Sequence, residues 1–111
     1  MEQSHITTAG RVWKAGRVVT PENGTKPFVS CIIELQRRHY QDKSYAQRVE
    51  LRVYTKEPDD LAARLTEGAL VLASGSGDAY LMEVNGKHYA NLRVTTNHVS
   101  FLDLTDRAPT D

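Results

Sequence analysis

The chain has 111 residues, 40% of them apolar and 25% charged, which suits one domain able to bury roughly two thirds of its unfolded surface. Its longest apolar run, Ala69–Ala73, is far below the ~20 residues a membrane-spanning helix needs. Acids and bases balance at 14 each, so pI alone gives no hint of an anionic partner.

The balance is uneven along the chain. Residues 1–35 carry four bases and three acids. Residues 36–56 carry six bases (Arg37, Arg38, Lys43, Arg48, Arg52, Lys56) against Asp42 and Glu50, and residues 57–111 carry four bases and nine acids. A local positive field is therefore expected in the middle third. The polar opening "MEQSHITTAG" lacks the apolar core of a secretory signal, and the lone Cys31 has no partner for an intrachain disulfide. Both point to a reducing, cytoplasmic setting.

In chain order, "GRVWKAGRVV" (10–19) predicts a first strand, bracketed by Gly10 and bent at Gly16. "TPENGTKP" (20–27) predicts a turn. In "FVSCIIELQRR" the residues Val29, Cys31, Ile33 and Leu35 alternate inward, which makes Cys31 a small core residue. "QRRHYQDKSYAQR" (36–48) packs cations around Tyr40 and Tyr45 and reads as a long loop or arm. In "QRVELRVYT", Val49, Leu51 and Val53 alternate with Arg48, Glu50, Arg52 and Tyr54, leaving a ring among charges on the outer face.

"EPDDLAARLTEG" predicts the one helix, with Pro58 and two acids in its first turn and Gly68 as the stop. "GALVLASGSG" predicts a short apolar strand fading into glycine. "YLMEVNGKHYANLRV" holds Asn85-Gly86 between alternating flanks, a strong hairpin signal. "HVSFLDL" continues the last strand after a change of face near Asn97. Three strands, a helix and two strands predict an all-β fold: a five-stranded OB-fold Greek-key barrel with the helix between strands 3 and 4. One domain is expected over 1–111, its core about 6–104.

Taken together, the order and spacing of these segments resemble the bacterial single-stranded DNA-binding (SSB) proteins over about residues 10–104. The resemblance rests on "GRVWKAGRV", "NGTKPFVSCIIEL", "YQDK", "RVELRVYTKEPDDLAARLTEGALVLASG" and "NGKHYANLRV". It implies sequence-independent binding of single-stranded DNA in replication, repair or recombination, as a homodimer or homotetramer. By position, Tyr40 matches a stacking tryptophan and Tyr54 a stacking phenylalanine. Tyr45 is a nearby substitute for a tryptophan missing near Arg48, and the hairpin ring falls at Tyr80 or Met82. The candidate nucleic-acid-binding set is thus Arg37, Arg38, Tyr40, Lys43, Tyr45, Arg48, Arg52, Tyr54, Lys56 and Tyr80.

The family's long tail with its acidic recruiting tip has no counterpart in "LTDRAPTD", so partner recruitment is not carried over. Here the chain is also similar to primosomal replication protein N. The neutral total charge and the missing tryptophans keep open a primosome-like adaptor that binds other proteins through the same barrel, with weak or no DNA binding.

The plainer reading of each ring is packing. Phe28 and Phe101 are expected to pack, and Trp13, at a position aliphatic in the family, to sit in the core or an interface. Tyr80 and Tyr89 can cover core edges. Catalysis has little support. His5, His39, His88 and His98 lack metal-ligand spacing, and "SGSGD" lacks the lysine and helix of a phosphate loop. No enzyme activity, cofactor or metal is expected.

Overall fold

The computed structural model describes residues 4–35, 38–40, 43–45 and 47–102. Its elements are β1 (Ser4–Val19), β2 (Phe28–Glu34), β3 (Arg38–Tyr40), β4 (Lys43–Tyr45), β5 (Arg48–Val53), α1 (Pro58–Arg64), β6 (Leu70–Val84), β7 (Lys87–Thr96) and β8 (Val99–Phe101). Five strands close a ring in the order β1-β2-β5-β7-β6, with β6 returning to pair with β1. Every neighbour pair in the ring is antiparallel except β5–β7. Closure leaves the ring without a free edge, and the expected five-stranded OB barrel is what forms.

Alternation sets the core. Val29, Cys31 and Ile33 of β2 meet Val53, Leu51 and Val49 of β5 in register, and all six are buried. Val12 of β1, Leu65 just after α1, Val71 and Ala73 of β6, Val94 of β7 and Val99 of β8 complete the interior. Each such side chain contributes about 1.5–3 kcal/mol on leaving water, Ala73 and Cys31 less.

Three segments differ in extent from their sequence reading. β1 begins at Ser4, not Gly10, because Ser4–Arg11 pairs with β6 before the strand crosses to β2. The glycines after Ser74 do not end a strand. β6 runs through them to Val84, handing over from β1 to β7 at Ser76 and Gly77. At Gly75 a Cβ would collide with the Thr95 carbonyl, so the close approach of β7 there admits no side chain. The helix stops at Arg64, four residues before Gly68, and Leu65 turns into the barrel with no exposure.

Other readings are met. Asn85 and Gly86 form a two-residue turn with φ of 52° and 80°, joining the Val84–Lys87 pair. Past Thr96, β8 continues along the same edge of β6. The pair Ser76–Thr95 is followed by Ala73–Val99, four residues against three, so one extra residue sits near Asn97. The Thr96 hydroxyl donates to the carbonyl oxygen of Ser74, 2.7 Å away, beside this step.

Candidate nucleic-acid interface

Residues that alternate with the core stand on the outside of β2, β5 and β7. The register aligns them in rows across the barrel. Lys14, Ile32, Glu50 and Arg93 form one row, and Arg17, Ser30, Arg52 and Thr95 the next. Adjacent strands lie about 4.8 Å apart, so Arg17 and Arg52 are separated by roughly 10 Å of surface.

Three guanidinium groups each cover an aromatic ring on this face. Arg48 lies 3.7 Å from the Trp13 ring centroid, Arg93 lies 4.1 Å from that of Tyr80, and Arg52 lies 4.9 Å from that of Phe28. Tyr54, at the end of β5, adds a second ring beside Phe28 with centroids 5.5 Å apart. Cation–π contacts of this kind contribute about 0.5–2 kcal/mol, more as water is excluded.

Carboxylates hold the same guanidiniums. Glu50 takes Nε of Arg52 at 3.1 Å on one oxygen and Nε of Arg93 at 3.2 Å on the other, and the Tyr80 hydroxyl also donates to it. Burial pushes the Glu50 carboxyl up, but the hydrogen bonds from Arg52, Tyr80 and Arg93 outweigh it and hold the group below its ordinary value. Tyr80 shifts upward, first through burial and then through its bond to the Glu50 anion. Arg93 also reaches Asp78 at 3.7 Å, and Arg48 donates to Glu34 at 3.3 Å. Between β1 and Tyr80 lies an open groove lined by Lys14, Arg17, Ser30, Ile32 and Glu50.

Of the sequence-predicted residues, Arg48, Arg52, Tyr54 and Tyr80 gather on this face. Lys56 is exposed at the bend after β5. Arg38, Tyr40, Lys43 and Tyr45 belong to the β3–β4 hairpin between β2 and β5, where only the backbone is described, in the register Arg38–Tyr45 and Tyr40–Lys43. Arg37 lies outside the described residues, and so do the side chains of Met82 and Tyr89.

The same face also carries Trp13, Lys14, Arg17 and Arg93, none of them in the sequence-predicted set. Trp13 is 45% exposed, so it is not a core residue. Arg93 was in principle readable, since "NLRVTT" alternates. Trp13 was not, because strand β1 breaks its own period there. Cys31 is a buried thiol pushed up to about 12 by burial and then by the Glu50 charge, which leaves no thiolate for chemistry near neutrality. Among the described residues, no cluster of three or more His, Cys, Asp or Glu could hold a metal ion.

No family model and no curated protein matches the sequence. Solved structures do match its shape. A small single-stranded DNA-binding protein from Streptomyces coelicolor superposes with a TM-score of 0.73 at 14% identity, over 96% of this chain and 99% of that one. A Plasmodium falciparum SSB in complex with single-stranded DNA gives 0.66 at 19%, over 93% and 97%. A mitochondrial single-stranded DNA-binding protein from S. cerevisiae gives 0.61 at 16%, over 93% and 98%. At such identities the likeness is one of architecture: across nearly its whole length, the chain is an OB barrel of the kind those proteins share.

Proposed function

We propose that the chain binds single-stranded DNA without sequence preference, stacking bases on aromatic rings and holding phosphates with arginine and lysine. The observation that carries this reading is the repeated pairing of a guanidinium with a ring across one outer face of an OB barrel. Flat rings beside cations are the two ingredients such binding requires. The solved structures of similar shape support it, one of them being a complex with single-stranded DNA.

Arg48 and Arg52 are engaged by carboxylates, yet the Arg48–Glu34 pair is exposed and worth only about 0–1 kcal/mol, so a phosphate can compete for it. Each stacked base is worth ~1–3 kcal/mol by substitution, and each phosphate contact steepens the salt dependence by about 0.7 log units. Four working contacts would give a slope of roughly −3. We place this activity in replication, repair or recombination within a reducing cytoplasm, by a homodimer or homotetramer without catalytic activity. The β3–β4 hairpin is the arm whose cations Arg38 and Lys43 hold the backbone while Tyr40 and Tyr45 receive bases.

A protein–protein adaptor is the second reading. It is favoured by the carboxylates that hold the outer-face guanidiniums, Glu50 on Arg52, and Glu50 with Asp78 on Arg93. Anisotropy of a labelled oligo(dT), titrated from low to physiological ionic strength, separates the two. Tyr54→Ala should weaken binding by about 5- to 150-fold. Arg48→Ala/Arg52→Ala should flatten the salt slope by about 1.4. No binding at low salt favours the adaptor, and unchanged affinity in both variants removes the assigned site.

A further inference from the structure

Strand β1 departs from regular pairing twice in six residues. Val12 faces Ile33 and Lys14 faces Ile32, so Trp13 is an extra residue on β1. Lys14 faces Ile32 and Arg17 faces Ser30, so a second extra residue follows. In an unbroken strand Lys14 would share the inward face of Val12, which is buried. The bulges instead expose Trp13, Lys14 and Ala15 in succession. One large ring and one cation thereby stand side by side on the outer surface, with Arg17 a short step further on.

The ring is covered by a replaceable group. The Arg48 guanidinium lies 3.7 Å from the centroid of Trp13, and the Arg48 side chain is 45% exposed. The pair it makes with Glu34 is 3.3 Å long and lies at the surface, where such a pair contributes little. Among the described residues, Lys14 and Arg17 make no ion pair. A stacked planar cation next to two unpaired cations is a surface that exchanges readily for a stacked base with its phosphates.

Resting on the single-strand-binding reading above, we propose that Trp13 is a base-stacking platform on β1 and that Lys14 and Arg17 hold the adjoining phosphates. A nucleobase takes the place of the Arg48 guanidinium on the indole, and the freed guanidinium turns to a phosphate. The bound strand therefore crosses β1 as well as β2 and β5.

Trp13 is the chain's single tryptophan, so its emission reports this position alone. The full chain is titrated with an oligo(dT) while anisotropy of a labelled strand measures binding independently. Quenching of Trp13 in step with the anisotropy is expected. Trp13→Ala should weaken binding by about 5- to 150-fold, with Trp13→Phe restoring part of it. Lys14→Ala/Arg17→Ala should flatten the salt slope by about 1.4 with the fold unchanged.

Binding without any change in Trp13 emission overturns the platform and leaves the proposed function standing. Trp13 emission that changes with protein concentration in the absence of DNA also overturns it, because a second copy of the chain then covers the ring. No binding of the labelled strand ends both readings.

Discussion

At one end of the barrel Leu65 is fully enclosed, while on the outer face the Glu50 carboxylate is held by the guanidinium groups of Arg52 and Arg93. Both hold distant strands together, by different forces. Leu65 follows α1 directly into the core, and its carbonyl accepts from the Gly16 N–H at 2.9 Å. Val12 accepts from Gly68 and donates to Ala69. That end is fixed by apolar volume and by backbone bonds that nothing in solution can replace. The outer face is fixed by guanidinium–carboxylate contacts, for which a phosphate is a natural competitor. Changes at the first region should therefore cost stability, and changes at the second should alter what the surface binds.

The largest effect should come from Leu65→Ala, which leaves a cavity under α1. A loss of about 2–5 kcal/mol in unfolding free energy is expected by denaturant titration. Alkylation of Cys31 gives a second readout, since its thiol is buried and held protonated in the folded chain. It should react faster in the variant by the same factor as the open population rises. Binding of oligo(dT) at a temperature where the variant is folded should not change. A small stability loss with weakened DNA binding would collapse the contrast between the two regions.

How far each region can be read from the residues differs for the same reason. Alternation in "FVSCIIE" and "RVELRV" names the buried side of β2 and β5 at once, and Asn85-Gly86 names its own turn, because those signals are local. The helix ends early because Leu65 gains more by entering the core than by continuing a helical turn. The contact of Glu50 with Arg93 joins residues 43 apart through the parallel β5–β7 pair. Alternation places both outward but says nothing about which strand lies beside which. Trp13 was hidden differently, since a bulge changes facing without any change in composition. The stretch 36–48 is conspicuous for its cations and tyrosines, and the β3–β4 hairpin and the start of β5 fall within it.

Glu50 tests the boundary between the regions, being an outer-face carboxylate with a side chain only 16% exposed. Its folded value lies below the ordinary 4.5, so its contribution to stability is complete above that pH and is lost as pH falls below it. Acid unfolding of the wild type should steepen below about 4.5, and Glu50→Gln should unfold with a shallower dependence there. At neutral pH the same substitution should cost about 1–3 kcal/mol, because Arg52 and Arg93 keep a poorer acceptor. An identical acid profile for the two proteins would mean that Glu50 is no more than a solvated surface charge.

The smallest effect on stability, and the sharpest separation of stability from binding, is expected at Glu34. Its bond to Arg48 is 3.3 Å long, between side chains 45% and 20% exposed, so loss of that pair in Glu34→Gln should itself change stability by only about 0–1 kcal/mol. Yet this contact helps to hold the guanidinium over Trp13. Weakening it should loosen the stack, shift Trp13 emission in the free protein and raise affinity for oligo(dT) at low salt. The gain should fade as salt screens the interaction. A variant that is markedly less stable but binds no better would show that the Arg48–Glu34 pair belongs with Leu65, as part of what holds the barrel together.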